Sequence, residues 1–551
     1  MDIFRRILLI ACHVFLVTGS FAGSDLESLL PQLNEYIDGQ PNVNITEITE
    51  QGERHTSHVF YAEPKSVKQI QQLVNAANKF GLQVRAVGSG HSYSPVYPDT
   101  GALALNLFNL EEQAFTLDKE RTRASVLASA TVQEFYKFNK ANRVTVPSAP
   151  VIAPCSFQGM TATASIGAAP TEASPASRVV AMDLVDGNGD IRHFDEETEP
   201  DVLRACRAHL GLCGIIYNTT VKVVPDEAVK FSHSLIPVDA IIFNRENRRA
   251  FVNSHFAINT MWNIYNGATA QQRRYTENDG LSRAHESWTA KQDMLDFWTA
   301  SKVDQSGDYN LNGDIQHERL MLQDNTMYHS NYSYITLSDS LLFESWGEDR
   351  CTKINSVTGF ATPETEDFTA SSKTLENSVH IIEKGLKNIG LVNKLPYGYF
   401  RWQTHNPNCL FCHTKVAGKN GMTLVQSLVF RYNGCLHRTP SDKDIRGLEN
   451  FEMLFTDGML INATRIATHW AKYDVNTPHV PDLIREVFKN ELSEFIATRN
   501  KHKLDVGNIF MNDHLRDIFR NEKLITGNGV STIHVFNMFT CLTVVLGCLL
   551  F

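Results

Sequence analysis

The run RAVGSGHS at 85–92 constrains this chain more than any other stretch. Before it, Val67, Ile70, Leu73, Val74, Ala77 and Phe80 recur at helical spacing, with Ser66 and Gln69 placed as a capping box and Gly81 as the stop. Leu82, Val84 and Ala86 then alternate as a half-buried strand, which enters the turn directly. Gly88 and Gly90 allow positive φ and leave no Cβ between the backbone and a ligand, which suits a phosphate-bearing or planar cofactor with His91 presented beside it. The turn is not the nicotinamide fingerprint, because Tyr93 stands where G-x-G-x-x-G needs its third glycine. Taken alone, it also reads as an ordinary strand-to-loop turn with a surface histidine.

With 551 residues the chain can bury more than one core, and 42% hydrophobic against 20% charged residues is a globular balance. A net charge of -10 gives no support to nucleic-acid binding. Residues 1–23 have a basic start (Arg5, Arg6), an apolar run at 7–17 and small Ser20 and Ala22, the pattern of a cleaved signal peptide. At 527–551, Gly527, Asn528 and Gly529 precede a mildly polar spacer and an uncharged apolar tail, the pattern of a glycolipid-anchor signal; a spanning helix from about Ile533 is the alternative. The expected location is the secretory pathway and the outer face of the plasma membrane, or a membrane-bound state. Sequons at Asn44, Asn218, Asn331 and Asn462 would then be glycosylation sites. Outside the two ends lie Cys155, Cys206, Cys213, Cys351, Cys409, Cys412 and Cys435, an odd set.

Residues 24–55 carry few periodic signals and read as a lead-in. Strands are expected at 102–107 and 123–128, and a second helix capped by Thr131 and Glu134. The small-residue run at 147–177 reads as a loop whose backbone N–H groups can face one pyrophosphate. A hairpin follows across Asp186-Gly-Asn-Gly189, then a helix at 199–209 and a strand at 215–224.

Residues 84–92 and the run CRAHLGLCGIIYNTTVKVVP at 206–225 resemble the flavin-binding domain of the vanillyl-alcohol-oxidase superfamily, nearest to the sugar-lactone oxidases that act on gulonolactone and arabinonolactone. YGYFRW at 397–402 resembles that family's Glu-x-Arg strand, THWAKYDV at 468–475 its His-Trp-Ala-Lys motif, and NIFMNDHLRDIF at 508–519 its closing segment. The resemblance implies an α+β fold: an FAD-binding PCMH-type domain of two α+β subdomains at 56–227, an α+β substrate (cap) domain at 228–440, and a C-terminal lactone-oxidase-like segment at 441–525. It implies FAD bonded covalently to His91. Val87, Gly88, Ser89, Gly90, Ser92, Ala164, Ser165, Gly167, Gly214, Ile215 and His469 would stand around the cofactor. A small sugar-type substrate and O2 are the implied partners, with a membrane reached through the C-terminal anchor.

On the substrate side Arg401 matches the family's arginine, a permanent charge able to hold a substrate oxygen or balance the reduced ring. Lys472 would orient hydroxyls. Tyr399 stands where the glutamate is expected, and a phenol ionises only near pH 10 unless shifted. His405 is a speculative stand-in base. The family's phosphate-loop histidine is missing, since Ala164-Ser165-Ile166-Gly167 occupies that place. These two departures also admit a catalytically impaired surface flavoprotein with a binding or structural role. Cys409-Leu-Phe-Cys412-His413 has the spacing of a haem attachment, yet no other haem signal is present and a zinc site would lack a fourth ligand. No metal is expected; one of the pair is expected to join Cys435, or the two to join each other.

Overall fold

The computed structural model describes residues 23–49, 56–148, 154–263, 294–302, 332–337, 352–389, 397–433, 466–473 and 479–524, apart from single positions within them, together with Pro150 and a few positions between 453 and 459. The chain opens on α1 (Gly23–Tyr36) and β1 (Asn44–Thr49), where the sequence reads as a lead-in. β1 pairs antiparallel with β2 (Thr56–Ala62), and α1 seals its Leu26 and Leu33 into the core beneath. Next come α2 (Val67–Phe80), β3 (Val84–Val87) and β4 (Leu103–Asn106), with Gly81 ending α2 in the left-handed conformation. Ser66 caps α2 as expected, but the Gln69 side chain accepts from Lys65 N at 2.6 Å rather than closing a box on Ser66. These strands make a small sheet in the order β1-β2-β4-β3, whose parallel β2, β4 and β3 aim the RAVGSGHS turn out of one end.

A second sheet is all antiparallel. It is built from β5 (Phe115–Leu117), β6 (Arg123–Leu127), β8 (Val179–Val185), β9 (Ile191–Asp195) and β10 (Ile215–Lys222), in the order β5-β6-β10-β8-β9. The expected hairpin across 186–189 is β8–β9. Between β6 and β8 run α3 (Val132–Ala141), whose Thr131–Glu134 capping box is closed, the short β7 (Val144–Thr145), and α4 (Phe157–Ala162). The expected loop at 147–177 therefore contains a helix, because Ser156 caps it through Gly159 N. After α5 (Pro200–Cys206) the Leu210–Gly214 turn leads into β10, pinned by a Cys206–Cys213 disulfide. Following β10, β11 (Val224–Pro225) pairs with β7.

The second domain is an eight-stranded antiparallel sheet, in the order β15-β12-β14-β13-β17-β18-β16-β19. Its members are β12 (Ala228–Pro237), β13 (Ala257–Asn263), β14 (Met294–Lys302), β15 (Tyr332–Leu337), β16 (Thr352–Pro363), β17 (Tyr397–Thr404), β18 (Met422–Asn433) and β19 (Ala467–Thr468). Strand alternation decides what each face does. On β17, Phe400 and Trp402 enter a core with Trp262, Phe360 and helix α6 (Thr369–Ile389), while Tyr399 and Arg401 face the front domain. The polar composition of residues 266–279 predicts a loop-rich stretch, which lies outside the described residues.

From 479 onward the chain returns to the front domain. α7 (Val480–Val487), α8 (Lys489–Lys501) and α9 (Asp513–Ile518) place Phe488, Phe495 and Phe519 in the core that holds the second sheet, and Phe510 in that of the first. Arg499, buried on α8, bonds Leu212 O at 3.1 Å and Asn508 Oδ1 at 2.6 Å and pairs with the Asp505 carboxylate. Asp505 in turn accepts from Ile509 N at 2.9 Å and Phe510 N at 3.0 Å. Removing one member of a buried pair strands the other charge. Asp505→Ala is expected to cost about 3–5 kcal/mol, measured as a shift of the urea midpoint.

Candidate functional site

A cavity of about 210 Å³ opens between the two domains, lined from both. Its floor is the RAVGSGHS turn: Val87, Gly88, Ser89, Gly90, His91 and Ser92 all line it. A Cβ at Gly88 would collide with Ser156 Oγ, the cap of α4, and Gly90 has φ +74°, so both glycines are required by the geometry. His91 is half-buried, and burial lowers its imidazole pKa below the usual value, keeping the ring neutral. Beneath the turn, Arg85 is buried and donates to Val96 O at 3.0 Å, Phe510 O at 2.6 Å and Leu210 O at 2.7 Å.

The remaining cofactor-side candidates divide. Ser165, Gly214 and His469 line the cavity; Ala164, Gly167 and Ile215 do not. Ala164 has its side chain in the core. Gly167 lies against Ser148 and bridges to Pro150. Ile215 points into the core behind β10, and by alternation its neighbour Ile216 faces the cavity. Ile166 lines it likewise. Sequence reasoning missed His209. Its Nδ1 accepts from Gly211 N at 2.9 Å, which leaves the proton on Nε2; burial and then Arg85 hold the ring neutral, with a pKa of about 3.

On the opposite wall Tyr399, Arg401 and Lys472 come together from two separated stretches. Arg401 donates from Nε and Nη2 to Asn259 Oδ1, both at 3.1 Å, and from Nη1 to Ile166 O at 3.0 Å. Asn259, on β13 beside β17, was not foreseen; β13 also carries Thr260 and Asn263, so a polar residue there gave no signal. Burial lowers the guanidinium pKa to about 10. Lys472 Nζ donates to Tyr399 Oη and lies 4.8 Å from the ring centre, and the Arg401 guanidinium carbon lies 5.7 Å from it. Burial opposes ionisation of Tyr399, but Lys472, then a hydrogen bond with Ser427 and the Arg401 charge, outweigh it, and the phenol is shifted below its ordinary value.

The turn that presents Lys472 is held on three sides. Gly359 of β16 exchanges backbone bonds with it, His469 N to Gly359 O and Gly359 N to Lys472 O, each at 2.9 Å. Tyr93 N, two residues past His91, donates to Ala471 O at 2.9 Å, and Ser94 Oγ donates to Trp470 O. Trp470 Nε1 donates to Phe411 O at 2.7 Å, inside a loop closed by a Cys409–Cys412 disulfide. The two cysteines are thus joined locally, and neither is available to haem or zinc. His405 does not reach the cavity: its Nδ1 meets Thr414 Oγ1 at 3.2 Å and burial lowers its pKa to about 4, so it is no base for this site.

Two buried polar atoms on the cavity side have no partner among the described residues, Ser89 Oγ and His209 Nε2. Together with the glycine turn they fit a bound group rich in acceptors, as a dinucleotide is. Residues 59–195 match the family described as an FAD binding domain. The D-arabinono-1,4-lactone oxidase of Kluyveromyces lactis is 28% identical over 231 residues, 41% of this chain and 43% of that protein. The L-gulonolactone oxidase of Scyliorhinus torazame is 26% identical over 166 residues, 30% of this chain and 37% of the relative. The chain thus spans about two-fifths of these relatives' own length. A solvent-stable cholesterol oxidase superposes with a TM-score of 0.61 at 13% identity, covering 87% of this chain and 98% of that one. The xylooligosaccharide oxidase of Myceliophthora thermophila C1 superposes with a TM-score of 0.61 at 13% identity, covering 90% and 100%. The chain is an α+β protein with the fold of these oxidases, and residues 59–195 are an FAD-binding domain. Its homologues in sequence include sugar-lactone oxidases.

Cys155 lines the cavity beside Ser156, outside both disulfides of the described residues. Burial raises its thiol pKa to about 12, so almost none is thiolate at neutral pH. Iodoacetamide at pH 8 is expected to leave Cys155 unmodified in the native protein and to alkylate it in urea, read by peptide mass spectrometry.

Proposed function

We propose that this chain is an FAD-dependent oxidoreductase that oxidises a hydroxyl-bearing carbon of a sugar lactone or related carbohydrate, with O2 as acceptor and hydrogen peroxide as product. The observation that carries the reading is the meeting of Tyr399, Lys472 and Arg401 in the same cavity as the His91 turn. The names of the sequence relatives support the substrate class.

FAD supplies the two-electron acceptor; this chain supplies the remaining chemistry. His91 would tether the cofactor, with Ser89 and His209 Nε2 as donors to it. Tyr399 is the base for the substrate hydroxyl: Lys472, donating to its oxygen, stabilises the phenolate, and burial keeps water from competing. Arg401, held by Asn259 and Ile166, orients the substrate by its oxygens. A phenol shifted below its ordinary pKa needs no carboxylate at this position, which favours turnover over an inactive surface flavoprotein. The pattern at 1–23 and 527–551 further supports secretion and a lipid-anchored form, and Asn44, exposed on β1, would carry glycan.

Acid-precipitated protein should stay yellow, and His91→Ala should release its flavin to the supernatant; flavin retained by that variant removes the tether. Peroxide release on a panel of aldonolactones, polyols and oligosaccharides tests the activity, and bound flavin without turnover on any of them would favour the inactive reading. Because the base is the ionised phenol, kcat/KM should rise with pH through an apparent pKa below 10 and fall away on acidification. Tyr399→Phe should lose about 10²–10⁴-fold together with that limb of the profile. Release of the mature chain from cells by a phosphatidylinositol-specific phospholipase checks the anchor.

A further inference from the structure

The cavity holds positive charge that its own residues do not balance. Arg85, Arg401 and Lys472 line it, and no aspartate or glutamate does so among the described residues. Arg85 is committed to three carbonyls at the base of the turn and lies in the field of Asp99. Arg401 is different. It is buried, yet both its acceptors, Asn259 Oδ1 and Ile166 O, are neutral. They take three of the five N–H groups a guanidinium carries, and two have no partner among the described residues. A buried charge whose hydrogen-bond acceptors are all neutral is costly, and a carboxylate on the forked side of a guanidinium is its natural complement.

Counting charge at the reacting end sharpens this. Arg401 and Lys472 face one ionisable group, Tyr399, so one positive charge is in surplus when the phenol is ionised and two when it is not. Catalysis on the proposed reading does not cancel it. Bound FAD would supply the two-electron acceptor: as the C–H bond broke, its electron pair would leave with the hydrogen for the cofactor, which would gain one negative charge. The hydroxyl proton passes to Tyr399 Oη, removing one, and a C=O bond forms. The surplus is one before and after.

We propose, resting on the oxidoreductase reading above, that the substrate is a carbohydrate carrying one carboxylate, which pairs with Arg401 while the reacting hydroxyl lies against Tyr399 Oη. With the guanidinium carbon 5.7 Å from the Tyr399 ring centre, a single small sugar acid reaches both contacts. A neutral lactone would leave that surplus charge uncompensated at the reacting end. Asn259 is then a specificity-determining residue, because it holds the guanidinium without neutralising it, as an aspartate there would.

The test uses the flavin-loaded protein without oxygen and titrates gluconate against glucitol, and galactonate against its neutral 1,4-lactone. Affinity is read from the perturbation of flavin absorption, and reduction is followed separately by bleaching. Each carboxylate should bind at least tenfold more tightly than its neutral partner. Asn259→Asp should abolish that preference. Should the variant not fold, Arg401→Gln should weaken the carboxylates at least tenfold more than the neutral ligands. Equal or tighter binding of the neutral partners, or a preference that survives in the variant read, overturns the assignment. Carboxylate preference without bleaching by any ligand keeps the assignment and removes the oxidoreductase reading. Bleaching by neutral lactones without preference does the reverse.

Discussion

The structure turns on one guanidinium. Arg85, on the strand that feeds the RAVGSGHS turn, bonds carbonyls of the loop beyond that turn, of the Leu210–Gly214 turn before β10, and of the C-terminal segment at Phe510. Each bond is neutral on one side, yet three convergent acceptors satisfy a donor that burial would otherwise make costly. A second arginine, Arg499, reaches the same Leu210–Gly214 turn from the C-terminal helices through Leu212 O. One short turn is therefore gripped from both ends of the chain, and the cofactor-side wall of the cavity inherits its rigidity from that grip.

The opposite wall is rigid for a different reason. A strand in the middle of an eight-stranded sheet has both edges paired, so Tyr399 and Arg401 are held by β13 on one side and β18 on the other. Alternation gives four consecutive residues two jobs, Phe400 and Trp402 fastening the sheet to α6 while Tyr399 and Arg401 line the cavity. Lys472 arrives from a turn docked on Gly359, where a side chain would crowd His469 and Lys472 at 3.2–3.3 Å. The two walls are joined where Tyr93 N meets Ala471 O, so the turn that presents His91 and the turn that presents Lys472 share a hydrogen-bonded frame.

Local signals were legible in the sequence. The capped helices at 67–80 and 132–141, the hairpin after β8 and the glycine turn each depend on residues within a few positions, and each is found where the pattern puts it. Tyr399 and Arg401 share a face because i and i+2 must. The readings that failed concern partners or single-residue register. Ile215 and Ile216 differ only in which side of β10 they occupy, and a strand pattern read one residue out reverses that. Asn259 could not be paired with Arg401 from sequence, since nothing local tells β17 which strand lies beside it. The helix and strand at 23–49 escaped notice because Pro31, which reads as a helix stop, lies inside the helix, and the strand is an edge with no buried residue. The cysteines of the 409–412 loop admitted more than one pairing until the loop's path was known.

The bond from Arg85 to Phe510 spans 425 residues of chain. A ribosome delivers the first long before the second, so the small parallel sheet and its glycine turn emerge with one of the three carbonyls beneath them still unmade. The wall around the cofactor is thus closed by nearly the last of the described residues to be synthesised. Cofactor capture in this architecture belongs to the finished chain, and a nascent one holds an open cradle.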